Sequence, residues 1–278
     1  MSDKKVWFVT GASKGFGYDL VCSLLQKGNR VIATSRTIEK LTHLEKGNPD
    51  FLALTMDLTN EQNVMDAIQK GIAHFGKIDV VVNNAGYGLF GTLEEFSTTE
   101  IKNCFDVNVF GVIHVSKAII PHFRMQKSGM LLNIASVSGS VSGIGSGVYS
   151  ATKAAVIQLS EALSAELDEF GVKVIAVCPG GFRTDFLDSS SFMTANHPLE
   201  EYTAVRARVK RLGELNKQQG GDPKKGVEVF IQLAKMSNPP SRIYMGSDAL
   251  RMMDAKIKAV VDNINENRAV SVSTDVDL

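Results

Sequence analysis

Residues 6–17 read VWFVTGASKGFG, an apolar run of five residues that ends in a turn with three glycines. A helix-like stretch follows to Lys27, so the order predicts a strand, a turn and a helix. The free backbone amides and the dipole of such a helix favour a bound pyrophosphate, and glycine leaves room for its close approach. The spacing G-x-x-x-G-x-G differs from G-x-G-x-x-G, the usual fingerprint of dinucleotide-binding turns. We interpret the turn as a dinucleotide site, with a purely structural turn as the alternative.

Apolar runs like the first one recur along the chain and predict the fold class. They are nearly continuous in Val, Ile, Leu and Phe, which is typical of strands buried on both faces of a sheet. The segments between them are long enough for crossover helices. We therefore predict an α/β fold, a Rossmann-type doubly wound parallel sheet. The predicted strands are Val6–Thr10, Val31–Ser35, Phe51–Met56, Val80–Asn83, Met130–Ile134 and Val172–Cys178.

The pattern changes after residue 180, where a segment rich in Ser, Phe and Met precedes several helix-like stretches. No linker or repeat interrupts the chain, so we expect one domain of residues 1–278, with a short helical substrate lid at about 182–220 and a frayed tail at about 267–278. Capping patterns predict three helix starts, at Thr59 with Gln62, at Ser97 with Glu100 and at Asp222-Pro223. The later elements are predicted at 199–217 (helix), 223–236 (helix), 242–245 (strand) and 248–266 (helix).

Composition and charge limit the classes of partner that the sequence favours. Thirty basic and thirty acidic residues cancel, so the net charge does not favour a nucleic-acid or membrane partner. A strand begins within a few residues of Met1, and no apolar run approaches the roughly 20 residues of a membrane span. The three cysteines lack CxxC spacing, so we expect buried free thiols in the cytoplasm. The five histidines are scattered, and we expect no metal site.

The residues after the second strand predict which dinucleotide binds. An acid at this position bonds the ribose hydroxyls of NAD, whereas a basic residue accommodates the 2′-phosphate of NADP. This chain has Arg36 there and no acid until Glu39. Lys14 in the glycine turn adds a second cation. We therefore predict NADP(H), with two solvated surface charges as the alternative.

Polar residues follow several strands at the edge where open α/β sheets bind ligands. Asn83-Asn84-Ala85-Gly86 ends the fourth strand, and Ser136 follows the fifth. Tyr149 and Lys153 lie four residues apart at the start of the next helix, hence on one face. We expect these groups to meet at one rim.

In these motifs the sequence resembles the short-chain dehydrogenase/reductase family, in its single-domain, NADP(H)-preferring branch. The resemblance covers residues 10–184, in the order and spacing of the family, and beyond Thr184 it holds only in outline. The motifs are Thr10-Gly11-xxx-Gly15-x-Gly17, Asp57, Asn83-Asn84-Ala85-Gly86, Asn108, Ser136, Tyr149-xxx-Lys153 and Pro179-Gly180-xxx-Thr184.

The chemistry of hydride transfer to a carbonyl accounts for the residue types. Negative charge builds on the oxygen, so a proton must arrive from an acid, and Tyr149 is our candidate. A lysine ammonium nearby lowers a phenol pKa, which is the role we predict for Lys153, along with binding of the nicotinamide ribose. Ser136 would hydrogen-bond the substrate oxygen.

The resemblance implies further roles. Asn108 would hold a water that leads to Lys153, and the alternative is an asparagine that satisfies a local helix break. Asp57 would lie at the adenine ring, or else be a cap-like residue after its strand. Thr184 would bond the nicotinamide carboxamide. The predicted cofactor-binding set is Gly11, Ser13, Lys14, Gly15, Phe16, Gly17, Arg36, Asp57, Asn84, Ala85, Gly86, Tyr149, Lys153, Pro179, Gly180 and Thr184.

The predicted substrate is a small molecule, a largely apolar ketone or secondary alcohol, because apolar residues crowd the expected lid. Arg183, Arg206 and Arg208 leave a keto acid or another charged carbonyl as an alternative, and a non-catalytic redox sensor is a second one. Related proteins pair the stretches 99–127 and 147–170 in a four-helix interface, so the resemblance implies a homo-oligomer, a dimer or tetramer. The apolar candidates are Phe182, Phe186, Leu187, Phe192 and Met193 from the lid, and Tyr87, Leu89 and Phe90 opposite.

Overall fold

The computed structural model describes residues 4–45 and 47–276 and contains a seven-stranded parallel sheet. Its strands agree with the predicted runs to within one residue at either end. The strands of this sheet are β1 (Val6–Thr10), β2 (Arg30–Ser35), β3 (Phe51–Thr55), β4 (Val80–Asn83), β6 (Gly129–Ile134), β7 (Val172–Pro179) and β9 (Arg242–Met245). A second, two-stranded sheet pairs β5 (Gly88–Phe90) with β8 (Phe192–Thr194).

Nine α-helices are present among the described residues. They connect the parallel strands as crossovers and cover both faces of the large sheet, which confirms the α/β prediction. The helices are α1 (Gly15–Gln26), α2 (Thr42–Glu45), α3 (Glu61–Phe75), α4 (Thr98–Phe105), α5 (Gly111–Gln126), α6 (Gly147–Leu167), α7 (Thr203–Glu214), α8 (Pro223–Leu233) and α9 (Ser247–Val272).

The central strands are largely apolar because they pack against helices on both sides. In β1, Val9 joins the core cluster that contains Leu20 of α1 and Phe230 of α8. Phe8, the residue before it, joins the opposite cluster with Ile119 of α5. Successive side chains of a strand point to opposite faces, so both faces of the sheet are core.

The strand order β3-β2-β1-β4-β6-β7-β9 places a switch point between β1 and β4. The chain runs outward from β1 to β3, then returns and continues on the other side from β4. Their crossover connections leave from opposite sides here, which opens a crevice at the carboxyl ends of the strands. The glycine turn after β1 and the Asn84 segment after β4 flank this crevice.

One continuous helical run bears on the expectation that no apolar run approaches the length of a membrane span. Thr98–Gln126 is 29 residues long and contains an 18-residue window with a mean hydropathy of 1.3, which is sufficient by length and composition alone. It comprises α4, a π-helical turn at Asp106–Phe110, and α5. Val115, Ile119 and Phe123 are fully buried in the core, so this run packs as a core helix of the fold.

The lid segment differs most from its prediction. The parallel pair β5 and β8 was not predicted, and it ties Met193 to Leu89. The helix predicted at 199–217 is shorter (α7), and the last helix continues to Val272, six residues beyond the predicted end, so residues 267–272 of the expected tail are helical. Asp277 and Leu278, the end of that tail, lie outside the described residues.

Two of the three capping patterns match the structure. Ser97 and Glu100 form a reciprocal capping box at α4, and the Asp222 carboxylate accepts amide hydrogen bonds at the start of α8. At α3 the cap is Asn60, whose side chain accepts from the amide of Asn63. The prediction of Thr59 as that cap was wrong by one residue, because the Thr59 hydroxyl is bonded to Asp57 instead.

Candidate active site

The glycine turn is shaped by close contacts that exclude side chains. Gly11 and Gly15 have φ angles of +64° and +54°, in the left-handed region that favours glycine. A Cβ atom on Gly11 would lie 2.8 Å from the Cα atom of Ala85, and one on Gly17 would lie 2.4 Å from the carbonyl oxygen of Gly11. The backbone at the head of α1 therefore stays bare, which fits a dinucleotide that must approach it closely.

Hydrogen bonds join this turn to the segment after β4. The hydroxyl of buried Thr10 accepts from the backbone amides of Asn84 and Ala85 at 3.0 and 3.1 Å. In return, Asn84 Nδ2 donates to the carbonyl oxygens of Thr10 and Gly11. Asn84 thus shapes the turn from behind, a contact that the linear spacing of the motifs does not reveal.

A single cavity of about 890 Å³ runs from the glycine turn to Tyr149. Gly17 and Asn108 lie behind its wall. Every other predicted catalytic or cofactor-binding residue lines it: Gly11, Ser13, Lys14, Gly15, Phe16, Arg36, Asp57, Asn84, Ala85, Gly86, Ser136, Tyr149, Lys153, Pro179, Gly180 and Thr184.

Tyr149 and Lys153 occupy one face of α6, as their spacing predicts. Both are buried, at 5% exposure each, and the Lys153 ammonium lies 6.0 Å from the centre of the Tyr149 ring. Lys153 Nζ donates to the carbonyl oxygen of Ile134 at 2.8 Å. This bond ties the lysine to the end of β6, two residues before Ser136.

The pKa of Tyr149 departs from the prediction. Burial raises the pKa of its phenol above the ordinary value, and a hydrogen bond with the Ser136 hydroxyl offsets only part of that rise. Burial also lowers the pKa of Lys153 to about 8. The lowering of the tyrosine pKa that we expected from Lys153 is absent, and desolvation is the largest influence on the pKa of both groups.

Asn108 is fully buried in the π-helical turn Asp106–Phe110. Its Oδ1 accepts from the backbone amide of Tyr87 at 3.0 Å, and its Nδ2 donates to the Tyr87 carbonyl and to the Thr152 hydroxyl. The polar groups of this side chain are therefore satisfied at a local helix irregularity. A Cβ atom on Gly86 would lie 3.0 Å from Asn108 Oδ1 and 3.4 Å from Lys153 Nζ, so Gly86 lies between the two groups.

A series of hydrogen bonds between buried side-chain amides and hydroxyls links the elements that hold the site. Asn83 Nδ2 donates to Asn133 Oδ1 at 2.8 Å, and Asn133 Nδ2 donates to the Ser160 hydroxyl at 2.9 Å. These bonds connect β4 and β6, which end just before Asn84 and Ser136, with α6, which carries Tyr149. The sequence analysis missed Asn133 and Ser160. Their signal is a polar residue within an otherwise apolar strand or helix face, where burial without a partner is costly.

Cations gather where β2 ends. Arg36 is exposed there, and Lys14 is half-buried and donates to the hydroxyls of Ser190 and Ser191. Burial lowers the pKa of Lys14; Asp185 and Asp188 oppose this, whereas Lys40 and Arg36 lower it further. Arg36, Lys14 and Lys40 thus form a positive region at the mouth of the cavity.

Asp57, predicted at the adenine ring, is exposed at the cavity wall. Its Oδ1 accepts from the backbone amide and the hydroxyl of Thr59 at 2.9 and 2.8 Å. This is the local cap-like geometry that we considered as the alternative. Oδ1 is thus engaged within the loop itself.

The part of the cavity beside Tyr149 is largely apolar. The rings of Phe90 and Phe186 each lie 5.7 Å from the Tyr149 ring. Phe192 stacks on Phe90 at 4.7 Å and Leu89 is buried in a separate cluster, so these two candidates pack on the core instead of lining the cavity. The remaining candidates do line it: Tyr87, Phe90, Phe182, Phe186, Leu187 and Met193.

The three arginines of the lid region have different environments. Arg183 is exposed and donates to the carbonyl oxygen of Gln219. Arg206 bonds both carboxylate oxygens of buried Glu95, at 2.6 and 2.7 Å. Arg208 lines the cavity, whereas Arg183 and Arg206 do not.

The cysteines and the acidic and histidine side chains do not assemble into a metal site within residues 4–45 and 47–276. Cys22, Cys104 and Cys178 are free thiols, of which Cys22 is half-buried and the other two are buried.

Comparison with known proteins identifies a family. The model described as short chain dehydrogenase matches residues 5–194, more than half of the chain. The chain is 34% identical over 249 residues to "Oxidoreductase BOA17" of Botryotinia fuckeliana (strain B05.10), covering 88% of this chain and 90% of that protein. It is 32% identical over 255 residues to the 3-ketodihydrosphingosine reductase of Bacteroides thetaiotaomicron, covering 92% of each.

Solved structures show the same fold. A short-chain dehydrogenase from Streptomyces avermitilis superposes with a TM-score of 0.90 at 34% identity, covering 98% of this chain and 100% of that chain. A serine dehydrogenase complexed with NADP+ gives a TM-score of 0.73 at 26% identity, over 86% of this chain and 94% of that one. A 3-ketoacyl-(acyl-carrier-protein) reductase from Brucella melitensis complexed with NADH gives 0.74 at 25%, over 88% and 98%.

Proposed function

This chain belongs to the short-chain dehydrogenase/reductase family of oxidoreductases, and we propose on that premise that it is an NADP(H)-dependent carbonyl reductase or secondary-alcohol dehydrogenase. The observation that carries the proposal is the meeting of Ser136, Tyr149 and Lys153 in the cavity that begins at the glycine turn. An intact set of these side chains favours chemistry over a role as a redox sensor.

Tyr149 acts as the acid. When bound, the nicotinamide supplies the hydride. The Tyr149 hydroxyl gives its proton to the carbonyl oxygen as negative charge develops there, and its raised pKa keeps that proton in place until then. The Ser136 hydroxyl donates to the same oxygen and orients it. Lys153 holds a positive charge behind the tyrosine, which favours the developing phenolate.

The glycine turn and the positive region hold the cofactor. The backbone of Gly11 and Gly15, which carries no side chains, receives the pyrophosphate at the head of α1. Arg36 and Lys14 bind the 2′-phosphate, for which guanidinium and ammonium groups supply charge-assisted hydrogen bonds. Solved relatives contain NADP+ in one case and NADH in another, so the proposed preference rests on the residues of this chain.

The substrate is a largely apolar ketone or alcohol. Phe90, Phe186 and Met193 surround the place beside Tyr149, and such apolar walls with few polar anchors suit an alkyl or aryl ketone. The relative from Bacteroides thetaiotaomicron is named for the reduction of a ketone, 3-ketodihydrosphingosine. On the same premise we propose that residues 1–278 form one domain with a lid at about 182–220. We also propose a cytoplasmic location, which the three free thiols favour.

We also propose a homo-oligomer, a dimer or tetramer, formed through α5 and α6. Phe110 and Met125 are 48% and 75% exposed on the helical run that includes α5, and burial in an interface would remove this apolar surface from water. Sedimentation velocity tests it, since a monomer at micromolar concentration would contradict it.

A panel of ketones and alcohols, followed by the absorbance of NADPH, tests the proposed activity. We expect turnover with aryl or long-chain alkyl ketones. Binding of NADPH without turnover of any carbonyl or alcohol would instead favour the sensor.

A further inference from the structure

We infer that the substrate carries an oxyanion, a carboxylate or phosphate, that Arg208 binds, an inference that rests on the proposed carbonyl reduction. Arg208, Leu212 and Leu215 of the α7 region line the cavity together. Their spacing of four and three residues places them on one helix face. The wall that α7 presents to the substrate therefore consists of one cation and two leucines.

The guanidinium of Arg208 fills a place that a glycine leaves open. A Cβ atom on Gly143 would lie 2.3 to 2.5 Å from the Nη1, Nη2 and Cζ atoms of Arg208. Gly143 belongs to the loop between Ser136 and Tyr149, which is built mainly of Ser and Gly, and lies six residues before Tyr149 in the chain. The structure therefore places the positive charge of Arg208 against this loop.

Arg208 has no protein partner for its charge among residues 4–45 and 47–276. Its Nε atom is shielded from solvent without an acceptor. Buried Nε atoms without acceptors also occur in Arg206 and Arg242, but these arginines pair their terminal nitrogens with Glu95 and Glu161. A shielded donor without an acceptor is costly, and buried groups of this kind normally have a partner. A ligand oxyanion supplies one.

Three of the four acids that line the cavity are engaged elsewhere. Asp185 pairs with Lys217, Asp248 accepts from the backbone amide of Gly181 at 2.7 Å, and Asp57 bonds Thr59. The other cations of the wall, Lys14, Arg36 and Lys153, already have proposed roles at the cofactor or at Tyr149. Arg208 is the cation of the cavity wall to which the proposed mechanism assigns no role.

Two contacts of α7 hold Arg208 in position before a ligand arrives. Arg206 bonds both oxygens of Glu95, whose side chain is fully buried. Val205 is buried, and a Cβ atom on Gly145 would lie 2.8 Å from its Cγ1 atom. Because these contacts fix the helix two and three residues before Arg208, binding an oxyanion at Arg208 requires little ordering of the protein.

The inferred substrate is therefore amphipathic. Its ketone lies at Tyr149, its apolar body contacts residues such as Met193 and Leu212, and its oxyanion accepts from the Arg208 guanidinium. The planar fork of an arginine suits the two oxygens of a carboxylate or phosphate.

The test compares aryl ketones that differ in one group: a carboxylate, a phosphate, or the methyl ester of the same acid, each with spacers of increasing length. We expect kcat/KM for one anionic ketone to exceed that of its ester at least tenfold. Arg208→Met should remove this preference by raising KM ten- to a hundredfold with little change in kcat, as expected for lost ground-state binding. The ester should stay within about threefold, and Arg208→Lys should restore part of the preference.

Arg183→Met is the matched control, because Arg183 is exposed in the same segment and does not line the cavity. It should leave the preference unchanged. Equal use of ester and acid at every spacer length, or an equal loss for both in Arg208→Met, overturns the inference while the reductase activity stands. If no ketone turns over, the proposed function fails. Calorimetric titration with the carboxylated alcohol then decides on Arg208 by itself, since Arg208→Met must weaken that binding at least tenfold.

Discussion

The Oδ2 atom of Asp185 accepts a hydrogen bond of 3.0 Å from the backbone amide of Gly15. A carboxylate of the lid thus occupies an amide at the head of α1, where we propose that the pyrophosphate binds. Lys217 pairs with the other oxygen of Asp185 and lowers the pKa of that acid. The acid is ionised at neutral pH, and the dinucleotide must displace it from Gly15.

Removing the negative charge of Asp185 should strengthen cofactor binding. In Asp185→Asn the like-charge repulsion with the pyrophosphate is gone, so we expect the Kd of NADPH to fall about three- to tenfold. Lys217→Met should act in the opposite direction, because it leaves the Asp185 charge without its cation. Fluorescence titration with NADPH measures both, and a weaker complex in Asp185→Asn would contradict the displacement.

Arg36→Ala should reduce the preference for NADPH. The loss of a charge-assisted contact with the 2′-phosphate costs about 1.5–3 kcal/mol, or one to two orders of magnitude in kcat/KM. NADH has no such phosphate, so its kcat/KM should change by less than about threefold. Kinetics with both cofactors measure the ratio. Equal use of NADPH and NADH by the unmodified protein would refute the preference.

Tyr149→Phe keeps the aromatic packing against Phe90 and Phe186 but removes the acid. We expect turnover to fall by at least two to four orders of magnitude, the usual contribution of a positioned acid, while the Kd of NADPH stays within about threefold. Stopped-flow kinetics and a binding titration separate the two effects. Turnover near that of the unmodified protein would exclude the mechanism.

The pH profile of reduction should follow Lys153. Burial lowers the pKa of this lysine to about 8, so the group is a cation below that pH and neutral above it. Tyr149 has a raised pKa and keeps its proton through this range. We expect kcat/KM to be highest below pH 8 and to fall as the pH rises through about 8. Lys153→Arg retains the charge, so any remaining activity should lack this decline.

The Glu95–Arg206 pair should matter for stability. In Arg206→Met, the fully buried carboxylate of Glu95 loses its cation, and we expect the free energy of unfolding to fall by about 3–5 kcal/mol. The double variant with Glu95→Gln should recover most of this loss. Lys258→Met is the control, because its pair with Asp262 is exposed and should change stability by less than about 1 kcal/mol. Urea denaturation measures all three, and an equal loss in the double variant would contradict a charge effect.

Features that depend on neighbouring residues could be predicted from the sequence. Apolar runs such as Val6–Thr10 become strands of the parallel sheet, and the glycine turn lies at its switch point. Tyr149 and Lys153 share a helix face because four residues make about one turn. Strand period, helix period and the need for glycine at a positive φ are local properties, so they are readable along the chain.

Only the tertiary structure decided which distant side chains meet and how water is excluded around them. Glu95 and Arg206 are 111 residues apart, and β5 pairs with β8 across about a hundred residues. The same holds for Arg208 and Gly143, where the guanidinium occupies the space that the absence of a glycine side chain leaves open. The rise in the Tyr149 pKa opposed our expectation because desolvation depends on everything packed around the phenol. Sequence alone thus determined the sheet and its rim, whereas packing decided the pKa shifts of Tyr149 and Lys153 and which arginine of the lid region lines the cavity.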